Sequence, residues 1–240
     1  MDLLDRSLGQ LARKIPGATA VFHQYGLDFC CGGNKSLRIA ASEKNVDANE
    51  VYQSLSSLLI NESSSPATEA MPLPELIDYI LDTFHAVHRQ ELPELIRLAD
   101  KVERVHGDKP NCPLGLTAHL MHMAQELESH MQKEEMILFP MIKQGAGSMV
   151  MGPVSVMRHE HDDHGAALAE LERLTNNIQP PQGACNTWRA LYLGLQKLRH
   201  DLMEHIHLEN NLLFAKVEEQ FAKPSSPEKT GVCCGSCGGH

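Results

Sequence analysis

Leu127-Glu128-Ser129-His130-Met131-Gln132-Lys133-Glu134-Glu135-Met136-Ile137-Leu138-Phe139 decides how this chain is read, because it returns as Leu202-Met203-Glu204-His205-Ile206-His207-Leu208-Glu209-Asn210-Asn211-Leu212-Leu213-Phe214. His130 and His205 stand 75 residues apart, and the spacing His-x-x-x-Glu is kept in both copies. A weaker pair, His85-x-x-His88 and His161-x-x-His164, repeats at an offset of 76. Two nearly equal offsets imply two related helical hairpins that close into one bundle.

A helical wheel at about 100° per residue shows which of these side chains face inward. Leu120, Met123, Leu127, His130, Glu134, Leu138 and Met141 form one stripe. Leu191, Leu195, Leu198, Leu202, His205, Glu209 and Leu213 form its counterpart. Each His/Glu pair therefore interrupts an apolar face. Burying a lone carboxylate costs several kcal/mol unless it is paired or binds metal, and two such events in register are hard to explain by packing. His161 shares an inward stripe with Val154, Met157 and Leu168, while His159 falls on the opposite side. On the first helix the wheel favours His88 over His85, but the repeat aligns His85 with His161, and the repeat is the stronger constraint. His106, His119, His122, His159, His200 and His207 read as solvated.

Around this repeat, Gly and Pro punctuation separates helical segments at about 75–106, 114–144, 150–176 and 184–221. Short joins favour antiparallel neighbours. Pro93 and Pro140 fall inside helices and should bend them. With few alternating or β-branched runs, the fold class is all-α. Residues 1–58 form a small helical domain carrying Cys30-Cys31-Gly32-Gly33; 59–74 is a polar, Pro-containing linker; 75–221 is the four-helix bundle; 222–240 is a Cys/Gly-rich tail.

The 240 residues have 42% hydrophobic and 22% charged content, enough for a sizeable core, and a net charge of −10 that argues against nucleic-acid binding. Mean hydropathy is −0.27. With no apolar run of about 20 residues, no membrane span is expected. The start, Met1-Asp2-Leu3-Leu4-Asp5, lacks signal-peptide character, so a cytoplasmic location is the default. Fourteen His and an odd seven Cys suit metal or redox work better than a disulfide framework.

Four imidazoles and two carboxylates, His85, His130, Glu134, His161, His205 and Glu209, are too many for one tetrahedral zinc. They suit two first-row metal ions bridged by the carboxylates, with open positions left over. Adjacent Cys30 and Cys31 are poor partners for a stable mutual disulfide. They could expose thiolates for metal transfer, cluster contact or thiol exchange, or simply pack as small hydrophobes. Cys112 and Cys185 lie singly near helix starts and read as spectators.

The chain through about residue 221 resembles the RIC (repair of iron centres) family of di-iron proteins, which pair a small vicinal-Cys domain with a hemerythrin-like bundle. The resemblance rests on Asp28-Phe29-Cys30-Cys31-Gly32-Gly33, Lys101-Val102-Glu103-Arg104-Val105-His106, Glu160-His161-Asp162 and the two His-x-x-x-Glu segments. It implies two non-haem iron ions, carboxylate-bridged and oxo-bridged when oxidised, on the same six ligands. It also implies a role in restoring iron–sulfur clusters damaged by nitric oxide or peroxide. Damaged iron–sulfur proteins would be the partners and nitric oxide or O2 the small ligands. Supply of iron is the leading mechanism, with thiol or iron-transfer work for Cys30 and Cys31. Reduction of nitric oxide at the centre is the enzymatic alternative, and a hemerythrin-like gas sensor is a third that gives no account of the small domain. A homodimer is compatible with the sequence, but no residue pattern demands it. The end, Cys233-Cys234-Gly235-Ser236-Cys237-Gly238-Gly239-His240, departs from the family pattern and reads equally as a soft-metal site or an accessory tail.

Overall fold

The computed structural model describes residues 3–15, 17–30, 32–61 and 67–221; Cys31, residues 62–66 and the tail at 222–240 lie outside the described residues. Short polar caps start the first helices. Ser7 accepts from Gln10 N at 3.3 Å to open α1 (Leu8–Lys14). Ser36 does the same for Ile39 N at the start of α3 (Leu37–Glu43). The two caps lie side by side, joined by Leu8 N–H to Lys35 O and Leu37 N–H to Arg6 O. Between them runs α2 (Ala18–Gln24), and α4 (Ala48–Asn61) follows. The stretch 59–74, expected to be a linker, is partly helical: Leu59 and Ile60 carry α4 on to Asn61, and Ala67–Ala70 makes one further turn, α5.

Four rods then form the bundle. The first is α6 (Leu73–Ile80), a wide turn at Leu81–His85, and α7 (Ala86–His106). The second is α8 (Leu116–Lys133), a wide turn at Glu134–Leu138, and α9 (Phe139–Lys143). The third is α10 (Met151–Leu174). The fourth is α11 (Asn186–His207), a wide turn at Leu208–Leu213, and α12 (Phe214–Phe221). In packing, α7 lies against α8 and α11, and α10 against the same two. Among the described residues no strand is present, and no helix is long and apolar enough to cross a membrane.

The wide turns are π turns, closed by hydrogen bonds one residue longer than in an α-helix: Ala86 N–H to Leu81 O, Phe139 N–H to Glu134 O and Phe214 N–H to Glu209 O. They carry His85, Glu134 and Glu209. The second ends at Leu138, two residues before Pro140, which has no N–H to continue the ladder. Pro93, by contrast, is taken into α7 without a break.

The core has two apolar clusters. One holds Leu76, Ile80, Phe84, Phe139, Val154 and Phe214. The other holds Leu95, Leu120, Leu127, Leu195 and Leu202, and continues without interruption into Leu8, Leu11, Phe22, Phe29 and Cys30 of the small domain. Each fully buried Leu or Phe stabilises by about 1.5–3 kcal/mol, so the small domain is held chiefly by apolar burial. Among the described residues, buried histidines and the buried carboxylates Glu134 and Glu209 sit among these apolar residues.

Candidate metal centre

The six ligand candidates are drawn together in the bundle interior, each no more than 1% exposed. Two groups of four form, His85, Glu134, His205, Glu209 and His130, Glu134, His161, Glu209, with the candidate ligand atoms of each group within 4.8 Å of one another. Both carboxylates belong to both groups. His85 Nε2 lies 3.1 Å from His205 Nε2 and 3.4 Å from Glu134 Oε2. On the other side His130 Nε2 lies 3.1 Å from His161 Nε2 and 3.5 Å from Glu134 Oε2. Glu209 Oε1 is 3.1 Å from His205 Nε2, and its Oε2 is 3.0 Å from His161 Nε2.

These distances fit metal ligands. Two donors about 2.1 Å from one first-row ion and at right angles to each other are about 3 Å apart. Neutral imidazole Nε2 atoms otherwise repel at that separation unless a proton lies between them. Both oxygens of fully buried Glu134 lack a hydrogen-bond partner, an arrangement that costs several kcal/mol unless a cation sits among them. The residues present therefore fit a pair of metal ions.

Behind the Nε2 atoms, the Nδ1 atoms are oriented. His85 Nδ1 meets Glu135 Oε1 at 2.8 Å, and Arg89 holds the same oxygen at 2.8 Å. His130 Nδ1 meets Glu160 Oε2 at 2.9 Å, with Lys133 on the other oxygen. His161 Nδ1 meets Asn210 Oδ1 at 2.8 Å. Such partners fix the tautomer that leaves Nε2 free to bind and raise its basicity. His205 Nδ1 has no hydrogen-bond partner; its ring is stacked on Phe84, 5.3 Å away and 1° from parallel.

Without metal the cluster holds its protons unevenly. Burial works against charge on His85, but Glu134 and Glu209 outweigh it and push the imidazole up to about 10. Burial, with His161 alongside, pushes His130 down to about 2. Burial and the neighbouring Glu209 carboxylate push Glu134 well above the usual carboxylate range. At Glu209 burial is overcome by His205, His161 and His85, which hold it well below that range. One carboxylate thus stays charged opposite one imidazolium.

Two further imidazoles flank the centre at equivalent positions of the repeat. His88 is fully buried, with both ring nitrogens unpartnered, beside the His205 ring; His164 lies 4.9 Å from the His130 ring. The structure brings His85, not His88, to the ligand cluster. Of the histidines expected in solvent, His122, His159 and His200 are exposed, His119 bonds to Ala167 O at 2.9 Å, and His106 stacks on Trp188 near Cys185. His207 is a correction: it is buried, with Phe29 set edge-on at 5.5 Å and Asn211 on its Nδ1. A wheel of the bundle alone cannot show the face that the small domain covers.

Of the two readings of Cys30, the structure shows the packed one: the residue is buried, its thiol 3.3 Å from Asp28 Oδ1, in a loop where Asp28 also receives the N–H groups of Cys30 and Gly32. Two cavities between the small domain and the bundle, about 800 Å³ and about 470 Å³, are both lined by Cys30 and Asp162. Glu135, Glu160 and Asn210, which orient three of the imidazoles, had no assigned role in the sequence. The signal was available for two of them, because Glu135 and Asn210 are equivalent in the repeat.

Residues 76–217 match the family described as the hemerythrin HHE cation binding domain, and residues 4–59 match a domain of unknown function, DUF542. The iron-sulfur cluster repair protein YtfE of Yersinia pseudotuberculosis serotype O:1b (strain IP 31758) is 53% identical over 216 residues, covering 90% of this chain and 98% of that protein. A protein of the same name from Yersinia pestis (strain Pestoides F) is 52% identical over the same share. The chain belongs to the hemerythrin-like iron–sulfur cluster repair family. In this family member the bundle supplies the whole His/Glu cluster, and the small domain closes over the face that carries Asn210 and Asn211.

Proposed function

We propose that His85, His130, Glu134, His161, His205 and Glu209 hold two iron ions, with Glu134 and Glu209 bridging. We further propose that the protein restores iron–sulfur clusters damaged by nitrosative or oxidative stress by supplying iron. The observation that carries this reading is that two four-residue ligand groups share both carboxylates. The name of the relatives supports the same role. When bound, iron supplies open coordination positions and redox chemistry.

The chain's own residues do the rest. Glu134 and Glu209 offset cation–cation repulsion; Glu135, Glu160 and Asn210 keep three imidazoles in the binding tautomer. The apolar clusters limit water access. Cys30 and Cys31 are proposed as thiols that take iron outward, which requires the loop at Asp28 to open, because Cys30 is buried.

The test is anaerobic incubation of iron-loaded protein with a nitric-oxide-damaged [4Fe–4S] enzyme. Recovery of that enzyme in proportion to iron added on the protein supports donation. Continuous nitric oxide consumption with a reductant and no loss of iron contradicts it and favours catalysis.

A further inference from the structure

Asn210 sits one residue past Glu209, where the repeat places Glu135 past Glu134. Both side chains accept at 2.8 Å from the Nδ1 of an imidazole on another rod, His161 and His85 respectively. Glu135 is a carboxylate steadied by Arg89. Asn210 is a buried amide, and its other end explains why. Asn210 Nδ2 donates to the backbone carbonyl of Cys30 at 3.2 Å. A carbonyl can only accept, so the amide must turn its NH2 to Cys30 and its oxygen to His161. That oxygen in turn requires the proton on His161 Nδ1, so that Nε2, which faces Glu209 and His130, is the nitrogen a metal ion takes.

We propose that Asn210 is a positioning residue through which docking of the Cys30 loop sets the metal-binding tautomer of His161 and hence how tightly iron is held there. The inference rests on the di-iron reading above and adds its regulation. While the small domain is docked, the Cys30 carbonyl locks the amide. When the Cys30 loop leaves, Asn210 can rotate, His161 loses its fixed acceptor, and the bond from His161 Nε2 weakens. Iron release would then be linked to the movement that frees Cys30. The docked loop is built closely: a Cβ on Gly33 would stand 2.5 Å from Phe29 O and 2.9 Å from Asn211 Oδ1. Asn211 Nδ2 also donates to Phe29 O at 3.2 Å.

The experiment loads wild type, N210L, N210D, G33A and the N210D/G33A double variant with Fe(II) anaerobically, then times release to a chromogenic ferrous chelator. N210L should release iron about 10- to 100-fold faster, the usual cost of removing such a partner. N210D, whose carboxylate still accepts from His161, should hold iron close to wild type. G33A should speed release in the Asn210 background and leave it unchanged in the N210D background. In metal-free protein, nitrogen NMR should find His161 protonated at Nδ1 in wild type and mixed in N210L. Wild-type release from N210L, N210D as fast as N210L, or equal acceleration by G33A in both backgrounds would each overturn the proposal. Wild-type protein that takes up no iron would instead defeat the metal reading itself.

Discussion

His85 Nε2 faces His205 Nε2 across 3.1 Å, and the Nδ1 of His85 is already held by Glu135. Two ring nitrogens set tip to tip need a proton or a cation between them. Without metal, His85 carries that proton, because Glu134 and Glu209 overcome the cost of its burial. With metal, the same atoms become donors.

A pH dependence follows that differs between the two states. His85 is raised from 6.5 to about 10, so its contribution to the stability of metal-free protein is complete below about 6.5 and is lost as pH rises through about 10. His88 and His207 are lowered, by burial, to about 2 and about 4. The unfolded chain binds more protons there, so stability falls as pH drops below about 6.5. Metal-free protein should therefore be most stable near neutral pH and weaken on both sides. Iron-loaded protein should lose the alkaline decline and should release iron below about pH 6. Denaturant titrations from pH 4 to pH 10 check this, and an alkaline decline that persists after loading counts against His85 as a ligand.

Neither oxygen of Glu134 has a hydrogen-bond partner, and the residue is fully buried. Glu134→Ala or Glu209→Ala should strip iron and leave the bundle helical. Glu134→Leu should make the metal-free protein more stable by about 1–3 kcal/mol, because it removes a buried polar group that has no hydrogen-bond partner. Metal analysis with thermal melts of both forms decides it. Full iron retention in either Ala variant would remove that residue from the site.

The repeat, its helical stripes and the short joins made the bundle and all six ligand candidates legible from residues alone. Even the choice of His85 over His88 rested on the offset to His161. The π turns were not legible. Each inserts one residue into the hydrogen-bond ladder, which re-aims His85, Glu134 and Glu209, yet nothing in local composition marks them except Pro140 after the second. The burial of His207 was hidden for another reason. It depends on the small domain packing on the bundle, a contact between segments about 180 residues apart in the chain.

Glu135 is the partner of His85 Nδ1 and is itself held by Arg89. Glu135→Gln keeps an acceptor but loses the charge, whereas Glu135→Leu loses both. Iron affinity should fall in the order wild type, Gln, Leu, with the last down about 10- to 100-fold. Competition against a calibrated chelator measures it, and equal affinities for all three would show that the Nδ1 contact does not tune the ligand.

The most direct test of the central claim is iron per chain, measured with the visible spectrum on anaerobically purified protein and on a variant with Cys30 and Cys31 changed to Ser. The account predicts about two irons per chain, an oxo-bridged di-iron spectrum after oxidation, and both unchanged in the Ser variant. Zinc alone, or iron that disappears with the cysteines, would contradict it and move the working centre out of the bundle.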